Sequence, residues 1–150
     1  MLKKSLESIL TPSESSELIS AFDQIGDIII VRIPDSLLVK KKIIGETLLK
    51  EVKIARSVFY QSSPVEGDFR TRDLEVLAGE DKTETEYKEF GCKFTVDVKN
   101  AFFSPRLSTE RERIANLIKD DEVVVNMFAG VGMFSVMAAK KKRCMVYSID

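Results

Sequence analysis

Residues 123–150 read Val-Val-Val-Asn-Met-Phe-Ala-Gly-Val-Gly-Met-Phe-Ser-Val-Met-Ala-Ala-Lys-Lys-Lys-Arg-Cys-Met-Val-Tyr-Ser-Ile-Asp. The apolar run Val123 to Val125 predicts a strand of the kind buried on both faces of a parallel sheet. Gly130 and Gly132 then turn the chain into a helix from Phe134 to Lys142, whose basic end suits the helix dipole. Cys144 to Ile149 predicts a second buried strand, followed by Asp150. Strand, Gly-x-Gly, helix, strand and acid in that order open a doubly wound, Rossmann-type nucleotide-binding fold. The glycines let a ligand approach the backbone at a helix N-terminus. Asp150 can accept hydrogen bonds from a ribose diol. Position 135 is Ser135, where the dinucleotide fingerprint has a third glycine, which favours a ligand without a pyrophosphate. Two strands and one helix do not bury themselves, so residues 105–150 are expected to be the beginning of an α/β domain that continues elsewhere.

Upstream, Ser108 or Thr109 is expected to cap a helix with Ile114, Leu117 and Ile118 on one face. Residues 25–104 read as a small α+β domain with a mixed sheet. Ile28 to Ile33 is a β-branched run that ends at Pro34, hence a strand. Pro34-Asp35-Ser36 starts a helix with Leu37, Leu38, Ile43, Ile44, Leu48 and Leu49 as apolar positions. Val52 to Tyr60 predicts a strand, Gln61 to Phe69 a loop, and Leu74 to Ala78 a short strand. Thr83 to Glu89 and Lys93 to Val98 flank Gly91 and predict a hairpin in which Phe94, Val96 and Val98 share a face. Residues 1–24 read as a helical extension: Leu2, Leu6, Ile9 and Leu10 have helical spacing, and Ser13 is a candidate cap for a helix through Phe22.

The 150 residues carry a net charge of −1, with 44% apolar and 31% charged residues, so the chain as a whole has no strong electrostatic footprint for nucleic acid. Locally, Lys40, Lys41, Lys42, Lys50, Lys53 and Arg56 outnumber Glu46 and Glu51. The chain has no histidine, and Cys92 and Cys144 lack metal-ligand spacing. A zinc site and a His-based triad are therefore not expected, and both cysteines read as buried small hydrophobes of a reducing compartment. No apolar run approaches the roughly 20 residues needed to span a bilayer, and no signal-peptide core is present. The expectation is a cytoplasmic protein without membrane contact.

A second chemical constellation is Phe102-Phe103-Ser104-Pro105-Arg106-Leu107-Ser108-Thr109-Glu110-Arg111, an aromatic pair with two arginines around one carboxylate. Together with Asn126-Met127-Phe128-Ala129-Gly130-Val131-Gly132, it resembles the paired signature of the archaeal and eukaryotic tRNA (guanine-N1)-methyltransferases that act at position 37. Gly67-Asp68-Phe69-Arg70-Thr71-Arg72, Leu74 to Glu80, Tyr87-Lys88-Glu89-Phe90-Gly91 and Ile25-Gly26-Asp27-Ile28 are similar to that family as well. The resemblance covers roughly residues 24 to 150. Asn126 stands where the family usually has Asp, Phe102 where Tyr is common, and Met133 where Pro is frequent.

The resemblance implies an enzyme that transfers the methyl group of S-adenosyl-L-methionine to N1 of guanosine 37 of tRNA. Glu110 would be the base that takes the N1 proton, and Arg70 would stabilise the charge that develops on O6. Arg111 and the run Phe128, Ala129, Gly130, Val131 and Gly132 would line the cofactor pocket, with Asp150 on the ribose. Phe102 would stack on a base. Arg106 would either tie its loop to the second domain or contact tRNA phosphate. The chemistry is consistent: guanine N1 is protonated at neutral pH, and its anion is shared with O6, so a carboxylate and an aimed guanidinium supply what the reaction needs. The partner is the anticodon stem-loop, with no DNA and no metal, and the protein is expected to be a monomer. Two other readings remain open. One is a wyosine-pathway relative that transfers the aminocarboxypropyl group of the same cofactor, or a dual-substrate methylase on the same nucleotide. Such transferases usually carry Gly-Asn where Arg106-Leu107 stand. The other is a non-catalytic RNA-binding module formed by the α+β domain. The 150 residues alone are expected to lack turnover.

Overall fold

Four β-branched residues, Ile28–Val31, form strand β2, and all four side chains are buried. The computed structural model describes residues 2–63 and 73–150. Strand β1 (Phe22–Ile25) pairs antiparallel with β2, β2 runs parallel to β3 (Ser57–Gln61), and β4 (Leu74–Gly79) pairs antiparallel with β3. The parallel connection is made by a 3-10 turn, Asp35–Lys40, that continues into helix α3, Lys41–Glu51. The mixed sheet expected of this region is therefore present, in the order β1-β2-β3-β4 among the described residues.

Alternation along these strands sends side chains to two separate cores. Ile29, Val31 and Val58 pack with Leu37, Ile44 and Leu48, and with Leu2, Leu6, Leu10 and Leu18 of the N-terminal segment. That segment holds two short helices, α1 (Leu2–Ser5) and α2 (Pro12–Glu17). Ile28, Ile30 and Phe59 pack on the other face, under the hairpin of β5 (Glu84–Glu89) and β6 (Cys92–Asp97). Cys92, Phe94 and Val96 supply its apolar side, and Phe103, Ala115, Met133 and Met137 complete the same core. Each such aliphatic or aromatic side chain contributes about 1.5–3 kcal/mol on full burial. The hairpin turn is Phe90-Gly91, both with positive φ (45° and 74°), the backbone of a type I′ turn.

Beyond the hairpin a 3-10 turn, Pro105–Leu107, runs directly into helix α4, Ser108–Leu117. Strand β7 (Val123–Asn126), helix α5 (Met133–Lys141) and strand β8 (Met145–Ser148) form the parallel strand–helix–strand unit read from the sequence. It is consistent with the start of a Rossmann-like domain.

Several expectations are corrected. The helix expected from Ser13 to Phe22 ends at Glu17; Thr11 is its cap, bonded to Glu14 in a capping box with Pro12 at the first helical position. Phe22–Ile25 is a strand instead, because Gly26-Asp27 folds it back onto β2. The strand expected from Val52 begins at Ser57, since α3 extends to Glu51 and Val52 caps it through a bond to Leu48. Helix α4 is not capped by Ser108 or Thr109; its cap position is Leu107, with no side-chain bond. Val123 and Val125 are exposed, because α5 covers one face of β7 and β8 and the other face carries Val123, Val125, Met145 and Tyr147 outward. Cys92 is buried as expected, whereas Cys144 is half-buried.

Gly45 sits in the middle of α3, where glycine is about 0.5–1 kcal/mol worse than alanine on propensity alone. An added Cβ there would lie 2.4 Å from Leu77 Cβ, so α3 approaches β4 more closely than a side chain allows. Gly45→Ala is expected to destabilise the protein by about 1–3 kcal/mol, the usual cost of overpacking, measured by urea unfolding. A stabilised variant would show that the helix shifts freely and that the close approach is incidental.

Candidate active site

The turn after β7 is built by backbone bonds between two strand ends. Ile149 N donates to Asn126 O, and Ala129 N donates to Ile149 O, both at 2.9 Å. Asp150 thus stands beside the loop and is exposed. Gly130 (φ +51°) and Gly132 (φ +78°) occupy the left-handed region, and Gly132 is the cap position of α5. Cβ atoms at these glycines would meet their nearest neighbours only at 3.9 Å and 4.0 Å, leaving room in front of the turn. Asn126 supports the turn from beneath: its Oδ1 accepts from Phe128 N (3.4 Å) and its Nδ2 donates to Ser135 Oγ (3.0 Å). Ser148 Oγ donates to the same Ser135 oxygen at 2.7 Å, which locks α5 to both strands. Phe128 is left 85% exposed at the tip.

The segment Phe102 to Leu107 runs alongside. The atom nearest to an added Cβ on Gly130 is Phe102 O, so this segment adjoins the glycine turn. Phe103 is buried, while Phe102 is partly exposed. Arg106 reaches the other way, with Nε and Nη2 on Asp23 Oδ1 at 2.9 and 2.8 Å. With Phe22, Ile30, Arg32 and Gln61, this pair lines a groove of about 190 Å³.

Glu110 lies in the first turn of α4 and is exposed. Its carboxylate is held by Arg113 in a fork, Nε to Oε2 at 2.8 Å and Nη2 to Oε1 at 2.7 Å. Those hydrogen bonds, more than the charge itself, lower its pKa below the ordinary carboxylate value.

Arg111, the next residue, points inward and is 3% exposed. Its Nε and Nη2 donate to Glu89 Oε1 and Oε2, both at 2.7 Å, and its Nη1 donates to Ser104 O at 3.1 Å. Tyr87 Oη donates to Glu89 Oε2 at 3.0 Å. Burial first, and then the Glu89 carboxylate, raise the phenol pKa above its ordinary value. Tyr87 packs edge-on against Phe103, with ring centroids 4.8 Å apart, and the Arg111 guanidinium lies 5.6 Å from the same ring. Deleting one partner of a buried pair costs about 3–5 kcal/mol, since the other charge is left uncompensated.

Phe102, Phe128, Ala129, Gly130, Val131, Gly132 and Asp150 thus gather around one turn. Arg106 is engaged by β1, and Glu110 is open to solvent on the adjoining helix. Arg111 has its guanidinium below the Phe102–Leu107 segment, on Glu89 and Ser104. Arg70 lies outside the described residues. Glu89 and Tyr87 stood in the sequence only as part of the family-like run Tyr87 to Gly91, with no role assigned to either. Their signal was the period of two along β5, which puts Thr85, Tyr87 and Glu89 on the inward side of the hairpin.

Residues 2–83 match the TYW2 N-terminal domain, and residues 85–150 match the TRM5/TYW2 methyltransferase domain. The chain is 43% identical over 131 residues to the tRNA (guanine(37)-N(1))-methyltransferase Trm5b of Pyrococcus abyssi, covering 87% of this chain and 39% of that protein. Its fold is similar to that of aTrm5 in a solved complex with tRNALeu, with TM-score 0.85 and 38% identity, over 97% of this chain and 43% of the other. It is also similar to TYW2 of Pyrococcus horikoshii in complex with MeSAdo, with TM-score 0.78 and 30% identity, over 99% of this chain and 52% of that one. The chain spans 31% to 39% of the length of the first curated relatives that it matches.

The Glu110–Arg113 fork makes a prediction that needs no substrate. In Arg113→Gln the Glu110 carboxyl should titrate at higher pH, nearer the ordinary value of about 4.3. Carbon-13 NMR of labelled glutamate reads this directly. An unmoved titration would remove Arg113 as the cause.

Proposed function

The chain belongs to the TRM5/TYW2 family, and on that premise we propose that it takes part in methyl transfer from S-adenosyl-L-methionine to N1 of guanosine 37 of tRNA. The reading extends to a cytoplasmic enzyme that acts as a monomer on the anticodon stem-loop. The observation that carries it is the adjacency of Gly130 to the Phe102 carbonyl. It brings the glycine turn and the segment leading to Glu110 to one place, as a reaction between a nucleoside cofactor and a base requires.

The residues present fit that cofactor. Gly130 and Gly132 leave room for a nucleoside against the backbone, Phe128 offers an exposed ring, and Asp150 beside the turn offers a carboxylate to a ribose diol. When bound, the cofactor supplies a methyl group already activated on a sulfonium. Glu110 accepts the proton of guanine N1. Arg70, by resemblance to the family, would offset the charge that collects on O6. Arg106 and Arg32, beside the groove at β1, supply cations for the RNA backbone. The bonds from Arg113 lower the Glu110 pKa below the ordinary carboxylate value, so it stays ionised further into the acid range. A carboxylate of lowered pKa remains a competent base until the pH falls through that value, so the acid limb of the reaction should lie below the ordinary carboxylate range.

The test uses the full-length protein and tRNA transcripts with G or A at position 37. Methyl incorporation should require G, and Glu110→Gln should lower the rate at least about tenfold, or about 1.4 kcal/mol of barrier. Attachment of the aminocarboxypropyl group to methylated tRNA, without methyl incorporation, would move the protein to the wyosine-type reaction. Tight tRNA binding with neither transfer would leave an RNA-binding module.

A further inference from the structure

Among the described residues Glu110 has no partner outside its own helix, because Arg113, which holds it, is three residues along α4. Where Glu110 stands relative to the glycine turn is therefore decided by how the first turn of α4 is anchored. That turn has no side-chain cap at its start. Its buried anchor is Arg111, which ties α4 to β5 through Glu89 and to the Phe102–Leu107 segment through Ser104 O, while Lys141 of α5 holds Glu112 and Asn116 on the outer side. Glu89 is itself oriented by Tyr87, and Tyr87 by Phe103. The chain of contacts runs from the hairpin, through one buried ion pair, to the backbone of the residue assigned as base.

We propose that Glu89 is a positioning residue for the transfer: with Tyr87 it fixes the Arg111 guanidinium, and Arg111 fixes the place of Glu110. The inference rests on the reading of Glu110 as the base. A planar guanidinium bound at two points to a carboxylate, and at a third to a carbonyl, has its orientation fully specified. An amide in place of the carboxylate cannot accept at both oxygens, so the fork loses one bond and its charge compensation. The helix start then gains freedom without any direct contact to substrate being lost.

The experiment is a double-mutant cycle on the full-length enzyme with Glu89→Gln, Glu110→Gln and both together. It is read by methyl transfer to G37 transcript, with kcat and KM measured separately. Glu89→Gln should lower kcat at least about tenfold, with KM for tRNA and cofactor within about twofold, and should cost less than about twofold when Glu110 is already Gln. An equal loss in both backgrounds, a loss confined to KM, or no loss would overturn the proposal while leaving Glu110 as base. A wild-type rate in Glu110→Gln would instead remove the base assignment, and this inference with it. Where Glu89→Gln fails to unfold cooperatively, Tyr87→Phe takes its place. It deletes one hydroxyl and keeps the ion pair. It should lower kcat about threefold with the same non-additivity, and additivity there would equally overturn the proposal.

Discussion

A strand whose side chains are apolar on both faces must be covered twice. Strand β2 imposes that condition, with Ile29 and Val31 turned to one core and Ile28 and Ile30 to the other. Its parallel partner β3 repeats the demand with Val58 and Phe59. On the first face, the crossover helix α3 answers it, joined by the leucines of the N-terminal segment. On the second face the cover is the hairpin, with Phe103, Ala115, Met133 and Met137 from the segment, α4 and α5. Helices α4 and α5 are therefore joined to the small mixed sheet through the hairpin and this shared core, and the glycine turn that precedes α5 is carried on the same support. Phe59 and Phe94 share the core that holds Met133 and Met137 of α5, so the glycine turn rests in part on their packing.

Much of this was open to reading where local pattern and tertiary outcome agree. Phe94, Val96 and Val98 alternate, and they do face one core. Strand, Gly-x-Gly, helix and strand appear in order because each piece has its own signal. The failures have physical causes. Phe22-Asp23-Gln24-Ile25 has two polar residues in four, and only its pairing with β2 makes it a strand. Ser108 and Thr109 have the composition of a helix cap, but the 3-10 turn at Pro105–Leu107 already has the chain in helical conformation, so neither is needed at the start. Val123 and Val125 have the composition of a strand buried on both faces, yet composition does not say what covers a strand. In the site, Glu110 and the glycine turn were legible as motifs. The partnership of Glu89 with Arg111 was not, because it joins residues 22 apart across two elements.

Within the site, adjacent residues do opposite electrostatic work. Glu110 is solvated and steadied by a surface fork, an interaction of modest strength. Arg111 is desolvated and bonded through all three of its nitrogens, where an ion pair adds definition of geometry more dependably than net stability. The same division recurs below the glycine turn, where Asn126, Ser135 and Ser148 bond one another while Phe128 stands in solvent. A rigid polar underside and an open upper face suit the proposed binding of cofactor and tRNA with little rearrangement.

The opposed directions of Glu110 and Arg111 also bear on which length changes the chain can accept. Each residue added to a helix rotates the remainder of that helix by about 100°. One residue inserted between Ser104 and Glu110 would have to be absorbed as a bulge, or else it would turn the carboxylate or the guanidinium out of its direction. The linkers at 80–83 and 118–121 set no such phase. Among related chains, insertions and deletions should collect in those linkers and spare 104–111, as in a stretch whose length matters as much as its residues.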